Sequence, residues 1–347
     1  MSKPVKGLAQ RAIKVLDAVI RGNLITGRPV GSRMAVRHFG LDCSPATVRN
    51  EMADLTAMGF LKQTHVSSGR VPTGKGIRFY LDYLLREDQL SLDEIERLRI
   101  FCPTYGEDFR TVLRNAGRVL ADLTRQAGVV LMPGLRRSPL HHIEFIRLTA
   151  RRVMVLLVSD RGQFHSRVFE WGEDLRQRDL TLASNYLNGR FHGKTLSQIR
   201  NIVIKEMREE KVKYDKMLAR ALGMMETVFE QGQLDEEIFI EGRENLVEKP
   251  EFAETEKMVK LLKTFEQKGF IIDLLSRALE GSDPVVFLSG ETEMEDIPEL
   301  AVITARYGSS GPGGGTVGII GPMRMDYARV IPMVRYTANY VSDLLNS

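Results

Sequence analysis

Residues 44–75, SPATVRNEMADLTAMGFLKQTHVSSGRVPTGK, narrow the possible folds more than any other stretch of this chain. They read as one helix, a short strand, a polar tip and a second strand. Ser44 suits an N-cap, and Pro45 suits the first helical position, where a missing N–H is harmless. Gly59 suits the left-handed residue that ends the helix. Val48, Met52 and Leu55 fall at i, i+4 and i+7 and share one buried face. Thr47, Asn50, Ala53 and Asp54 point the other way, with Arg49 on the flank. A short helix displaying Thr, Arg and Asn suits a DNA major groove. There Asn pairs with adenine, Arg with guanine or phosphate, and a Thr methyl packs on thymine. Residues 60–63 then read as a strand. His65, Ser67, Ser68 and Arg70 lie on a turn-rich basic tip, as in a wing on the phosphate backbone.

The charge distribution agrees with this reading. Residues 1–85 carry 13 Lys/Arg against 5 Asp/Glu, a net of +8, whereas the rest carries 36 against 40, a net of −4. Cations gathered at one end neutralise phosphates and release counterions. A length of 347 residues with 43% hydrophobic and 27% charged content is that of a folded protein of two or three domains. Two cysteines, Cys43 and Cys102, make no disulfide scaffold and suit a reducing compartment. The N-terminal segment has no apolar signal core, and the apolar run 153–158 is far too short to span a bilayer, so a cytoplasmic protein is expected.

Around the organising stretch the chain reads in order. An amphipathic helix covers 8–20, a turn 25–29, and a second short helix, with Ser32 as its cap, runs through Phe39 and closes at Gly40. With the helix after Ser44 this makes a helix-turn-helix. A helix beginning at Gly76 completes a winged unit over 1–86, followed by a linker over 87–106. A helix near 107–126 then leads into strand-like runs at 129–132, 143–148, 153–158 and 164–169, the last three an antiparallel meander. From 175 to 232 the pattern is helical, and Met217, Met224 and Met225 offer an adaptable apolar face or plain core. Strand signals return at 238–240, then a helix at 265–279, strands at 285–288, 300–307 and 316–320, and a long helix at 327–345. Pro332 either kinks that helix or delays its start. The expected class is α+β, with a mixed second region interrupted by a mainly helical insertion.

Two glycine-rich segments tempt an enzymatic reading. Residues 69–76, GRVPTGKG, approach a phosphate-binding loop, but Gly76 stands where Ser or Thr would hold Mg²⁺, and Pro72 removes a backbone donor. Residues 308–315, GSSGPGGG, lie between two strands, which suits a hairpin rather than a phosphate cradle. In the turn before the last helix, Asp326 favours the helix dipole, and Arg324 is expected to tie it down. The six histidines, at 38, 65, 141, 142, 165 and 192, show no metal-ligand spacing with Cys or carboxylates. No nucleophile–base pattern stands out, so no catalytic site, cofactor or metal is expected.

Residues 44–85 and the segment 320–339, IGPMRMDYARVIPMVRYTAN, resemble the bacterial heat-inducible transcription repressors of the HrcA family; the resemblance covers nearly the whole chain and is strongest at 29–85 and 317–340. The resemblance implies a winged helix at 1–86 and a GAF-like domain in two parts, 107–172 and 236–347. It also implies an inserted dimerisation domain at 173–235. By the same resemblance the protein is a homodimer that represses chaperone operons through an inverted-repeat operator (the CIRCE element). A GroEL-type chaperonin supports the active state until heat diverts it to unfolded clients. The expected DNA contacts are Arg33, Ser44, Thr47, Arg49, Asn50, His65, Ser67, Ser68, Arg70 and Lys75. The alternative is a winged-helix regulator whose second domain binds a small effector, which a closed apolar pocket or a ligand-shifted melting temperature would distinguish.

Overall fold

The structure is a computed structural model and describes residues 8–64, 69–100, 109–132, 134, 139–160, 164–172, 174–196, 198–202, 237–279, 283–291, 299–308 and 314–346. It is a mixed α+β protein built from a helical head, a sheet body and a smaller sheet unit between the body's two chain segments.

In the head, α1 (Gln10–Thr26), α2 (Ser32–Phe39) and α3 (Pro45–Ala57) precede a hairpin of β1 (Leu61–Gln63) and β2 (Arg70–Pro72). The hairpin is antiparallel, with Leu61 opposite Pro72 and Gln63 opposite Arg70. Ser32 is the first residue of α2 rather than its cap. Gly31 precedes it, and no side chain caps that end. Gly59, at φ +79°, makes the expected left-handed turn after α3. The helix α4 (Gly74–Phe79) starts two residues before the expected Gly76, because Thr73 caps it by accepting the Gly76 N–H at 3.2 Å. A wider π turn, Tyr80–Leu84, continues it.

The body is a five-stranded antiparallel sheet in the order β7-β3-β10-β9-β8. These strands are β3 (Ala127–Met132), β7 (Glu237–Glu241), β8 (Val285–Leu288), β9 (Leu300–Tyr307) and β10 (Gly315–Pro322). The long helices α6 (Phe109–Thr124) and α11 (Tyr327–Asn346) cover one face, where Leu120, Val130, Ile303 and Val334 meet. The other face is covered by α8 (Glu244–Val247), α9 (Thr255–Glu266) and α10 (Lys268–Ala278), around Val129, Leu131, Leu275 and Val302. Neighbours Val129 and Val130 therefore enter different cores, which explains the unbroken apolar run of β3. Helix α6 lies so close that a Cβ on Gly128 would sit 1.9 Å from the Gly117 carbonyl oxygen.

The meander β4 (Leu140–Arg147), β5 (Arg152–Ser159) and β6 (Phe164–Glu170) forms its own three-stranded sheet. The sequence grouping of 107–172 into one domain segment therefore divides here. Only β3 joins the five-stranded sheet, while the meander shares a separate core with α7 (Gln177–Phe191), around Phe145, Val155, Leu180 and Leu187. Side chains of α7 occupy the β4 edge. Asn188 Oδ1 accepts the Ile143 N–H at 2.7 Å, Ser184 Oγ the Phe145 N–H at 3.0 Å, and Gln177 Oε1 the Arg147 N–H at 2.8 Å. Such cover closes an edge that would otherwise pair with another strand. Residues 203–236, with Met217, Met224 and Met225, lie outside the described residues, and with them most of the segment expected as an insertion.

The expected linker holds a helix, α5 (Leu92–Ile100). Its signal was present in Ser91-Leu-Asp-Glu94, a capping box. Glu94 Oε2 accepts the Ser91 N–H at 2.8 Å, and Ser91 Oγ accepts the Glu94 N–H at 3.2 Å. This strap runs along α11. Helix α11 starts at Tyr327 and runs through Pro332. Pro332 cannot donate to the Ala328 carbonyl, and the Asp88 N–H takes that acceptor instead, at 2.9 Å. Beside it, Arg335 pairs with Glu87, Arg329 with Glu94 at 2.6 Å, and Arg99 Nε donates to the Tyr336 hydroxyl at 2.7 Å. Arg78 on α4 donates to the Val286 carbonyl at 2.6 Å and pairs with Glu291. Head and body thus share one continuous apolar core.

Two expectations follow. Gly128→Ala forces α6 off the sheet and costs at least ~1–3 kcal/mol, read as a lowered melting temperature. The Ser91 N–H holds the Glu94 carboxyl below its ordinary value of 4.5, reinforced by the Ser91 hydroxyl and Arg329 against the opposing effect of burial. A depressed carboxyl stabilises the fold above its unfolded value and loses that contribution as pH falls through the folded one. Glu94→Gln should therefore melt lower at pH 7 and show a shallower loss of stability below pH 4.5 in a melting series against pH.

Candidate nucleic-acid interface

Helix α3 is positioned from its buried side. Val48, Met52 and Leu55 pack into the head core and leave Ala46, Arg49, Asn50, Ala53, Asp54 and Ala57 exposed. Three of these six are alanines, so the exposed face is shallow except for Arg49, Asn50 and Asp54. A shallow face lets a helix backbone approach a groove floor closely. Arg49 and Asn50 make no side-chain hydrogen bond or ion pair among the described residues. Both hold their full donor sets for an external partner: a guanidinium fork and a carboxamide. Asp54, one turn on, offers only acceptors. On α1, Arg11 is taken by Glu51 of α3 at 2.6 Å, which locks the two helices together.

The other expected contacts divide by what holds them. Ser44 Oγ accepts the Thr47 N–H at 3.1 Å, and the two hydroxyls lie 2.9 Å apart. Ser44 and Thr47 are therefore tied to each other at the helix start. Arg33 is exposed on α2, and Arg37, one turn later, is exposed beside it. Arg37 was missed by reading α3 first, yet its i+4 spacing from Arg33 was in the sequence.

Arg70 is half-buried. Its backbone pairs with Val30, and its Nε donates to Thr56 Oγ1 at 3.1 Å, so it ties the hairpin to the end of α3. Lys75 Nζ donates to the Met58 carbonyl at 2.9 Å and lies 4.5 Å from the Phe60 ring centroid. A cation at a helix C-terminus satisfies orphan carbonyls and the dipole, so Lys75 finishes α3. Both were expected as phosphate contacts, and both have structural employment in the head. His65, Ser67 and Ser68 lie outside the described residues. Lys62 on β1 is exposed and adds a cation beside that tip.

The segment 69–76 is strand, turn and helix rather than a phosphate cradle. A Cβ on Gly76 would lie 2.3 Å from the Phe60 carbonyl oxygen, so this glycine serves close packing. In the turn before α11, Arg324 pairs with Glu251 rather than with Asp326. Asp326 instead accepts the Arg329 N–H at 3.4 Å. No helix among the described residues is long and apolar enough to cross a membrane.

Comparison with known proteins places this geometry. A family model described as the HrcA protein C-terminal domain matches residues 110–331. The chain is 42% identical over 339 residues to the heat-inducible transcription repressor HrcA of Syntrophobacter fumaroxidans, covering 97% of each chain. It is 41% identical over 338 residues to the protein of the same description from Geobacter sulfurreducens, covering 97% of this chain and 98% of that one. A crystal structure described as that of a hypothetical protein aligns over 98% of this chain and 99% of its own, with a TM-score of 0.57 at 22% identity, a likeness of fold.

The cap predicts its own measurement. Ser44→Ala removes the acceptor for the Thr47 N–H and costs ~1 kcal/mol, seen as a lower thermal midpoint with an unchanged folded-state circular dichroism spectrum.

Proposed function

The chain belongs to the HrcA family of heat-inducible transcription repressors, and on that premise we propose that it represses as a homodimer whose two heads read an inverted-repeat DNA operator. It is a regulator and not an enzyme. In this reading the head is a winged helix-turn-helix, with α3 as recognition helix and the β1–β2 hairpin as wing. The body is a GAF-like domain. The observation that carries the reading is the exposed, unpartnered pair Arg49 and Asn50 on α3, set on a segment of net charge +8. A two-fold dimer places two such helices in successive major grooves, which accounts for an inverted repeat.

Within the proposed interface, Asn50 and Arg49 read base edges. Arg33, Arg37 and Lys62, with Ser67 and Ser68 of the tip, meet phosphates. Ser44, Thr47, Arg70 and Lys75 act chiefly by holding α3 and the wing in place. The small sheet unit has its own core and is the part of the chain that the proposed dimer contact uses. The proposed chaperonin partner supports the repressing form, and its diversion by unfolded clients on heating lifts repression in the cytoplasm.

Asn50→Ala should weaken operator binding by ~1–3 kcal/mol and relax preference at one base pair, in an anisotropy titration against operator and single-site variants. Arg49→Ala should likewise weaken operator binding and leave the slope of log K against log salt unchanged, as expected of a base contact and not a phosphate contact. Equal affinity of the parent chain for an inverted-repeat duplex and its scrambled counterpart would overturn the proposal.

A further inference from the structure

We propose that His141, Asp160 and His192 form a binding site for a first-row transition-metal ion of the zinc type, which clamps together three chain segments of the small sheet unit. The residues are far apart in sequence, yet one ligand atom from each lies within 4.8 Å of the other two. His141 Nδ1 is 3.5 Å from Asp160 Oδ1, and the two imidazole rings meet edge to face with centroids 5.4 Å apart.

The backbone beneath them is already joined. The Leu140 N–H donates to the Lys194 carbonyl at 2.9 Å, the Gly193 N–H to the Leu140 carbonyl at 2.8 Å, and the Asp160 N–H to the Pro139 carbonyl at 3.1 Å. Each proposed ligand is therefore bonded, or adjacent to a bonded residue, in one small ladder that fixes the three Cα positions relative to one another. The ladder belongs to the fold and does not depend on an ion.

The orientation of His192 is the second observation. Its Nδ1 lies 3.0 Å from the His141 carbonyl oxygen. A carbonyl only accepts, so Nδ1 carries the proton and Nε2 keeps the lone pair. That is the outer bond by which a metal-ligating histidine is usually held. His192 also follows directly on α7, whose C-terminal end favours a cation.

Two imidazoles and one carboxylate suit zinc, with cobalt, nickel and copper in the same class, and do not suit magnesium or calcium, which take oxygen ligands. Tetrahedral bonds of about 2.0–2.2 Å set neighbouring ligand atoms about 3.3–3.6 Å apart. The three groups must therefore close by about 1 Å, which exposed side chains do by small rotations. Three protein ligands leave one position to water. Bound only by the folded form, the ion stabilises the unit through mass action.

The test uses the full chain freed of metal with a chelator. Zinc chloride is titrated calorimetrically, and Co²⁺ is added separately for its visible ligand-field bands. The expected result is one ion per chain, tetrahedral Co²⁺ bands, and a zinc-dependent rise in melting temperature. Asp160→Asn and His192→Gln should each weaken zinc by about tenfold or more, and the double variant His141→Ala/His192→Gln should lose the bands and the thermal shift. No zinc heat and no Co²⁺ bands from the unaltered chain would show a surface ion pair only and overturn the proposal. So would bands and a thermal shift that survive in the double variant. If the double variant fails to fold, the Co²⁺ spectra of the unaltered chain and of His192→Gln decide the matter.

Discussion

The hydrogen bond from the Asp88 N–H to the Ala328 carbonyl opens the row of polar contacts that ties the strap behind the head to the body, beside the apolar core the two share. It exists because Pro332 has no N–H and leaves that acceptor open one turn back in α11. A carbonyl freed inside a packed helix is costly unless another donor meets it. The donor comes from the strap after the π turn, and Glu87, Glu94 and Arg99 extend the contact along α11 through ion pairs and a tyrosine hydroxyl. The head is consequently fixed on the helix that forms one layer of the body.

The body owes its rigidity to a sheet buried on both faces. Adjacent residues of β3 enter opposite cores, and the close approach of Gly117 and Gly128 allows α6 to lie directly against the strand. The small unit is built differently. Its sheet carries α7 over one face and along the β4 edge, where Asn188, Ser184 and Gln177 replace a neighbouring strand. It has a core of its own, so it can present surface without disturbing the body.

In the head, engaged and unengaged polar side chains are interleaved along α3. Ser44 and Thr47 close one end of α3, Lys75 and Arg70 secure the other, and Arg49 and Asn50 between them remain unengaged. The side chains that fix the helix are thus different from the two that its exposed face leaves unengaged. Substitutions at its ends act on the helix itself, whereas those in the middle act on what it touches.

Most local elements were legible in the sequence because local signals carry them. Ser44-Pro45 starts a helix, Val48, Met52 and Leu55 give it an inside, and the short apolar run 153–158 marks a strand. The exposed face of α3 followed from the same periodicity. The capping box at Ser91 was also present, but it stood in a polar segment that otherwise suggested a linker. What side chains do when long-range partners compete was not legible. Arg324 turned to Glu251 rather than Asp326, Arg70 to Thr56, and Lys75 to the Met58 carbonyl, because a long cation goes to the acceptor that the folded chain brings nearest. Nor does spacing along the chain reveal that residues 141, 160 and 192 share a corner, since strand pairing and the return of α7 set that distance. The sequence by itself determined most of the helices and strands, the face that each of these buries, and that one end is cationic, while α5 and α9 went unread and the expected helix at 265–279 is the end of α9 followed by α10. Only the tertiary structure decided that the meander leaves the main sheet, which cations remain free, and how the head is held, because these depend on contacts between segments whose separation no local pattern encodes.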